Sequence, residues 1–249
     1  MEKEEQQKFF GSMVFPGILV LVLWLIKIIE VSFQISFADY GLLPQTVRGI
    51  RGILFSPFLH SDWKHLSANS VPLFVLSSGL FYYYGKKAIT IFSLCWLVTG
   101  LWVWIFASGT GVHIGASGVV YALATFHFMG GVLRKEPRMM AFSLLIVFLY
   151  GSLVWGVIPD FYPEKNISWE SHLLGGLAGI VIAIAYRMEG PQKKVYHWED
   201  EDEEINYMNE DQEIQAHGQP SINEISDTET PSVDEKIKYH YREQNKQNN

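Results

Sequence analysis

Gly115-Ala116-Ser117-Gly118 opens the apolar run Val119 to Val132. A run of that length is helical and suited to burial in lipid. Further along, His172 stands at the head of a second such run, Leu173 to Tyr186. A hydroxyl and an imidazole at the mouths of two membrane helices are costly to keep in hydrocarbon, and such groups mark function. A serine and a histidine are also the minimum equipment for nucleophilic catalysis.

Working outward, six apolar segments approach the length of a bilayer span: Met13 to Phe33, Leu66 to Tyr84, Ala88 to Ala107, Gly115 to Leu133, Met139 to Ile158 and Glu170 to Arg187. Backbone polar groups in lipid must be satisfied within the segment, and these runs are too continuous for alternating barrel strands. The expected fold is therefore an all-α membrane protein, a bundle of six transmembrane helices. Residues 1–12 form an N-terminal segment, 13–187 the helical domain and 188–249 a tail. The first run lacks a small-residue cleavage site and reads as a retained helix and not a signal peptide. Within it, Lys27 and Glu30 lie three apart and can pair on one face. If the helix ends near an interface, Lys27 snorkels. The loop from about Gln34 to Lys64 carries Tyr40, Leu42, Leu43, Ile50, Ile53, Leu54, Phe55 and Phe58, and is expected to pack partly into a leaflet.

Mean hydropathy is only +0.11 because two unlike segments are joined. From Glu189 to Asn249 there are 16 Asp/Glu against 6 Lys/Arg, a net of −10 in a chain of net −7. The body is thus slightly basic and the acidic tail reads as disordered. One cysteine, Cys95, excludes an internal disulfide framework. Lys3, Lys8, Lys86, Lys87, Arg134, Lys135, Arg138, Arg187, Lys193 and Lys194 fall on one side of an alternating six-span arrangement. Only Arg48, Arg51, Lys64 and Lys165 fall on the other. Both termini are therefore expected in the cytoplasm, with Ser117 and His172 toward the outer face.

Each candidate residue has a chemical and a packing reading. Ser117 is a nucleophile or a small residue in helix packing. Gly115 and Gly118 allow close approach, and the helix start offers backbone N–H groups to an oxyanion. His172 is a general base or an interfacial histidine. Gly175 and Gly179 follow it on one helical face, where they admit another helix. His65 and Asn69, four apart, share a face of the second span, as oxyanion donors or as an interhelical clamp. Tyr121, one turn after Ser117, stacks on His172 or simply packs.

The set His-x-x-x-Asn, Gly-x-Ser-Gly-x-x-x-Tyr and His-x-x-Gly-x-x-x-Gly, on the second, fourth and sixth spans, resembles the rhomboid family of intramembrane serine proteases. The likeness covers residues 10–187. It implies Ser117 as nucleophile, His172 as base, and an oxyanion hole from Asn69, His65 and the Ser117 amide, with Tyr121 and Gly115 in support. It implies a serine endopeptidase without cofactor or metal. Its partners would be transmembrane substrates and the lipid bilayer, with no nucleic acid, and its place a bacterial inner membrane. Where many relatives carry Trp-Arg in the first loop, this chain has Val47-Arg48. Two other classes fit part of the pattern: a catalytically inactive rhomboid-like binding or quality-control factor, and a metalloenzyme using His60, His65, Glu170 and His172.

Overall fold

A computed structural model describes residues 3–108, 111–149 and 169–190, all within one compact unit, Met1–Lys194. They form α1 (Lys3–Ser32), α2 (Gly52–Phe55), α3 (Trp63–Tyr84), α4 (Ala88–Phe106), α5 (Ser117–Arg134), α6 (Pro137–Leu149) and α7 (Trp169–Ala185). The described residues hold no strand beyond one antiparallel bridge, Leu42 to His113. They are all-α, as composition and periodicity suggest.

A helix stands at the place of each of the six apolar segments; residues 150–158 of the fifth, and the tail from 191 onward, lie outside the described residues. By length and hydropathy, two stretches among the described residues could cross a membrane: Lys3–Ser32 and Trp63–Phe106. The second is two helices, broken at Gly85, whose φ of +49° is left-handed. Trp169–Ala185 is apolar but shorter.

The first helix differs from the sequence expectation. It starts at Lys3 and not near Met13, so residues expected as a separate segment extend the helix. Partners on α3 account for this: Lys8 lies 4.5 Å over the Tyr82 ring, and the Tyr82 hydroxyl donates to Glu5 Oε2 at 3.1 Å. At the far end Lys27 does not snorkel. It is 11% exposed, pairs with Glu30 at 3.2 Å, and donates to the carbonyls of His60 (2.9 Å) and Ser61 (3.0 Å). Glu30 in turn accepts the Phe37 N–H at 2.7 Å.

The segment between α1 and α3 is folded against α4. Trp96 and Trp104 donate their indole N–H groups to the carbonyls of Ile53 (3.0 Å) and Thr46 (2.9 Å). Buried Gly49 and Gly52 let it turn back on Leu43 and Leu42, because a Cβ at either would strike that backbone.

Helices α5 and α7 meet through their smallest residues. A Cβ at Gly175 would collide with the Gly118 carbonyl, and one at Gly179 with the Ala122 carbonyl and the Thr125 hydroxyl. Thr125 Oγ1 donates across to the Gly176 carbonyl at 2.8 Å. At the other end of the pair the buried Arg134 donates to the carbonyls of Tyr186 (2.7 Å) and Arg187 (3.1 Å). Lys135 ends α5 in the left-handed region, its N–H returning to Gly131 and Val132, and Pro137 opens α6. Overpacking costs about 1–3 kcal/mol where side chains can yield, and more against backbone. Gly179→Val should therefore lower the melting temperature sharply in detergent. Unchanged melting would show that α5 and α7 do not approach this closely.

Candidate active site

The approach to α5 is fixed by Gly115. Its φ is +111°, which side-chain-bearing residues rarely adopt, and a Cβ there would lie 2.7 Å from the His65 ring. The Gly115 N–H donates to the Ser56 carbonyl at 2.9 Å. Ser117 is the first residue of α5, and the first backbone bond returning to this turn is Val120 N–H to the Ala116 carbonyl, 3.0 Å. The N–H groups ahead of it have no carbonyl within the helix. His172 lies in the first turn of α7, and its Nε2 is 2.8 Å from Ser117 Oγ. The Tyr121 ring stacks on the imidazole, with centroids 4.4 Å apart and planes at 19°. Gly175 and Gly179 run along α7 below the pair.

Helix α3 brings the third group. Asp62 caps it, accepting the His65 N–H at 2.8 Å and the Ser61 hydroxyl at 2.7 Å, and these bonds hold its carboxyl below the usual range. His65 and Asn69 share the face toward Gly115. Asn69 Nδ2 is 3.5 Å from the point where a Gly115 Cβ would stand, and is buried without a hydrogen-bond partner among the described residues. His65 Nδ1 lies 3.3 Å from Ser61 Oγ. Ser117 and His172 are thus in contact with Tyr121 stacked on the imidazole, while His65 and Asn69 face Gly115, two residues before the serine.

In the sequence His60 and Glu170 stand out only as metal-ligand candidates, and Ser108, His113 and Ser171 do not stand out at all. His60 packs edge-on against His65, centroids 5.0 Å apart, and the Ala116 N–H points at its Nε2 from 3.5 Å. His113 Nδ1 is 2.9 Å from Ser171 Oγ. Glu170 Oε1 accepts both the N–H (2.7 Å) and the hydroxyl (2.8 Å) of Ser108. None of these pairs follows from helical spacing, and all but His60 with His65 join positions more than fifty residues distant in sequence. A cleft of about 380 Å³ adjoins Ser117, lined among others by Leu42, Ser56, Thr99, His113 and Ser171. The metal-ligand set His60, His65, Glu170 and His172 does not converge: Glu170 turns to Ser108 and His172 to Ser117. Among the described residues no three potential metal-binding side chains cluster.

A serine hydroxyl bonded to an imidazole, beside a helix N-terminus and a buried amide, is an arrangement able to perform acyl transfer. The family model described as Rhomboid domain matches residues 47–189. The chain belongs to the rhomboid family, generally intramembrane proteases that act on transmembrane substrates. Uncharacterized proteins of Mycobacterium tuberculosis and Mycobacterium bovis are each 29% identical to it, over 70% of this chain and 74% of theirs. A Bacillus subtilis protein provisionally named a rhomboid protease is 25% identical, over 52% of this chain and 64% of its own.

Burial, reinforced by His65, pulls the His60 imidazole down from its ordinary 6.5 to about 3. Folded His60 therefore refuses a proton that the unfolded chain accepts below pH 6.5. Its contribution to stability is whole above that value and is lost as pH falls toward 3, by about 1.4 kcal/mol per unit. Melting measured from about pH 7.5 to about 5 should fall on acidification, with a shallower slope in His60→Asn. A slope unchanged by that substitution would overturn the assignment.

Proposed function

We propose that the chain is an intramembrane serine endopeptidase that cleaves single-span membrane proteins near the outer face of the bilayer. In this reading all six long helices cross the membrane and both termini are cytoplasmic, in a bacterial inner membrane. The domain is 13–187 and the acidic tail 188–249 stands on the opposite side from the site. The observation that carries the reading is the 2.8 Å contact of Ser117 Oγ with His172 Nε2 beside the buried, unpartnered Asn69 amide.

His172 takes the Ser117 proton as Oγ attacks the scissile carbonyl, then passes it to the departing amine. Water, activated by the same imidazole, releases the acyl group. The tetrahedral oxyanion accepts from the Ser117 N–H and from Asn69 Nδ2. Stacking by Tyr121 holds the imidazole plane. His65 contributes in a different way from Asn69. Ser61 commits its proton to Asp62, so it can only accept from His65 Nδ1–H. Neutral His65 then presents a lone pair at Nε2, and the donor on this face is Asn69. A peptide bond in an intact helix has its carbonyl and N–H engaged, so substrates should carry small or helix-breaking residues near the outer end of their span.

Cleavage of a generic single-span reporter in liposomes tests this. Ser117→Ala and His172→Ala should each abolish cleavage and fluorophosphonate labelling, and the double variant should be no worse than either. Full activity in Ser117→Ala would end the protease reading.

A finer comparison separates the two α3 side chains. Asn69→Ala should reduce kcat by up to about 10²–10³-fold with KM little changed, and His65→Ala should reduce it less. The reverse order would make His65 the donor.

A further inference from the structure

The glycine contacts bring α5 and α7 together immediately beside Ser117, where a Cβ at Gly118 would stand 3.2 Å from the Ser171 carbonyl oxygen, and a second set of bonds fixes the residues leading into the two helices. Gly175 and Gly179 follow His172 by one and two turns, and their partners Gly118 and Ala122 follow Ser117. Beside them the loop leading into α5 is joined to the first turn of α7 by side chains. Ser171, next to His172, has its hydroxyl 2.9 Å from Nδ1 of His113, four residues before Ser117. Glu170, one residue earlier, holds the start of the same loop through the N–H and hydroxyl of Ser108.

His113 is itself fixed on its other side. Its N–H donates to the Leu42 carbonyl at 2.8 Å, and its carbonyl accepts the Leu42 N–H at 2.9 Å. Leu42 is buried, and Gly52 packs on its backbone. The Gly115 N–H is likewise held by Ser56. The loop that delivers the serine is therefore anchored to the segment between α1 and α3, and the His113 side chain carries that anchorage to the head of α7.

We propose that His113 and Ser171 are a positioning pair: their bond sets the distance and orientation of His172 relative to Ser117, and so the rate of the chemical step. The proposal rests on the proteolytic reading. Reacting groups must be held in near-attack geometry, and a displacement of about 1 Å can reduce turnover about 10²-fold. The glycine contacts set the separation of the two axes, and the bond from His113 to Ser171 adds a constraint on the orientation of the first turn of α7.

The experiment uses the full chain in liposomes with the single-span reporter. His113→Ala and Ser171→Ala should each lower kcat by about ten- to a hundredfold with KM within about twofold, and the double variant should match the singles. His113→Asn, which places an amide nitrogen near the Nδ1 position, should recover most of the rate; His113→Gln, which reaches the Nε2 position, should not. Ser171→Thr keeps the hydroxyl and should retain activity. A loss confined to KM would make these residues substrate-contacting walls of the cleft, and additive losses, or Gln rescuing as well as Asn, would show that the bond is not the agent. Each of these overturns the proposal.

A stability cycle on the same pair in the Ser117→Ala background reads the bond without chemistry. It should show coupling between the two sites, and strict additivity would overturn the pairing. A wild-type chain that neither cleaves nor labels would sink the proteolytic reading, and the positioning role with it, while this cycle still decides whether the bond exists.

Discussion

Backbone-on-backbone contact between α5 and α7 determines where every other group stands. In lipid there is little hydrophobic gain from bringing two helices together, so close packing and a few hydrogen bonds must hold them. Gly118, Ala122, Gly175 and Gly179 remove the side chains that would keep the axes apart, and Thr125 adds a bond to the half-buried Gly176 carbonyl. Only at this separation can an imidazole from one helix reach a hydroxyl on the other at 2.8 Å while a tyrosine one turn down stacks beneath it. A wider pair would lose both relations together.

Around that contact, charged side chains serve irregular backbone. Lys27 covers the carbonyls of His60 and Ser61, Glu30 the Phe37 N–H, Glu170 the Ser108 N–H, and Arg134 the carbonyls beyond α7. Main-chain groups left unpaired in an apolar setting carry a penalty of several kcal/mol, and an ionised partner meets it with a stronger bond than a neutral one. The Asn69 amide is one of several buried side-chain groups without a partner among the described residues, the hydroxyls of Thr99 and Tyr121 being others. It is buried, it faces Gly115, and no described group accepts its proton.

Much of this was legible in the sequence. Each apolar run coincides with a helix among the described residues, because the length and continuity of a run are local properties. Ser117, His172, Asn69 and His65 could be singled out as candidates because their spacings place them at helix mouths or on one face. The start of α1 was not found: apolarity marks the part suited to lipid, whereas Lys8 and Glu5 extend the helix through partners on Tyr82. Lys27 could be paired with Glu30 by spacing, but its two carbonyl acceptors lie more than thirty residues away. The link from His113 to Ser171 was hidden for the same reason. Neither residue has a periodic partner, and the loop geometry that joins them depends on a bridge to Leu42.

The arginine at the C-terminal end of α5 has a consequence for how the chain can change length. Helices α5 and α7 run parallel and are tied at both extremities, by Ser117 with His172 at one and by Arg134 with the Tyr186 and Arg187 carbonyls at the other. Their 18 and 17 residues are thus two rungs-apart rails of matched length. One residue added within either would advance its end by about 1.5 Å and turn it by about 100°. The dyad and the arginine cap could not then both be made. Substitutions on the lipid-facing sides of these helices are open to drift, whereas insertions and deletions between the two ties are closed to it.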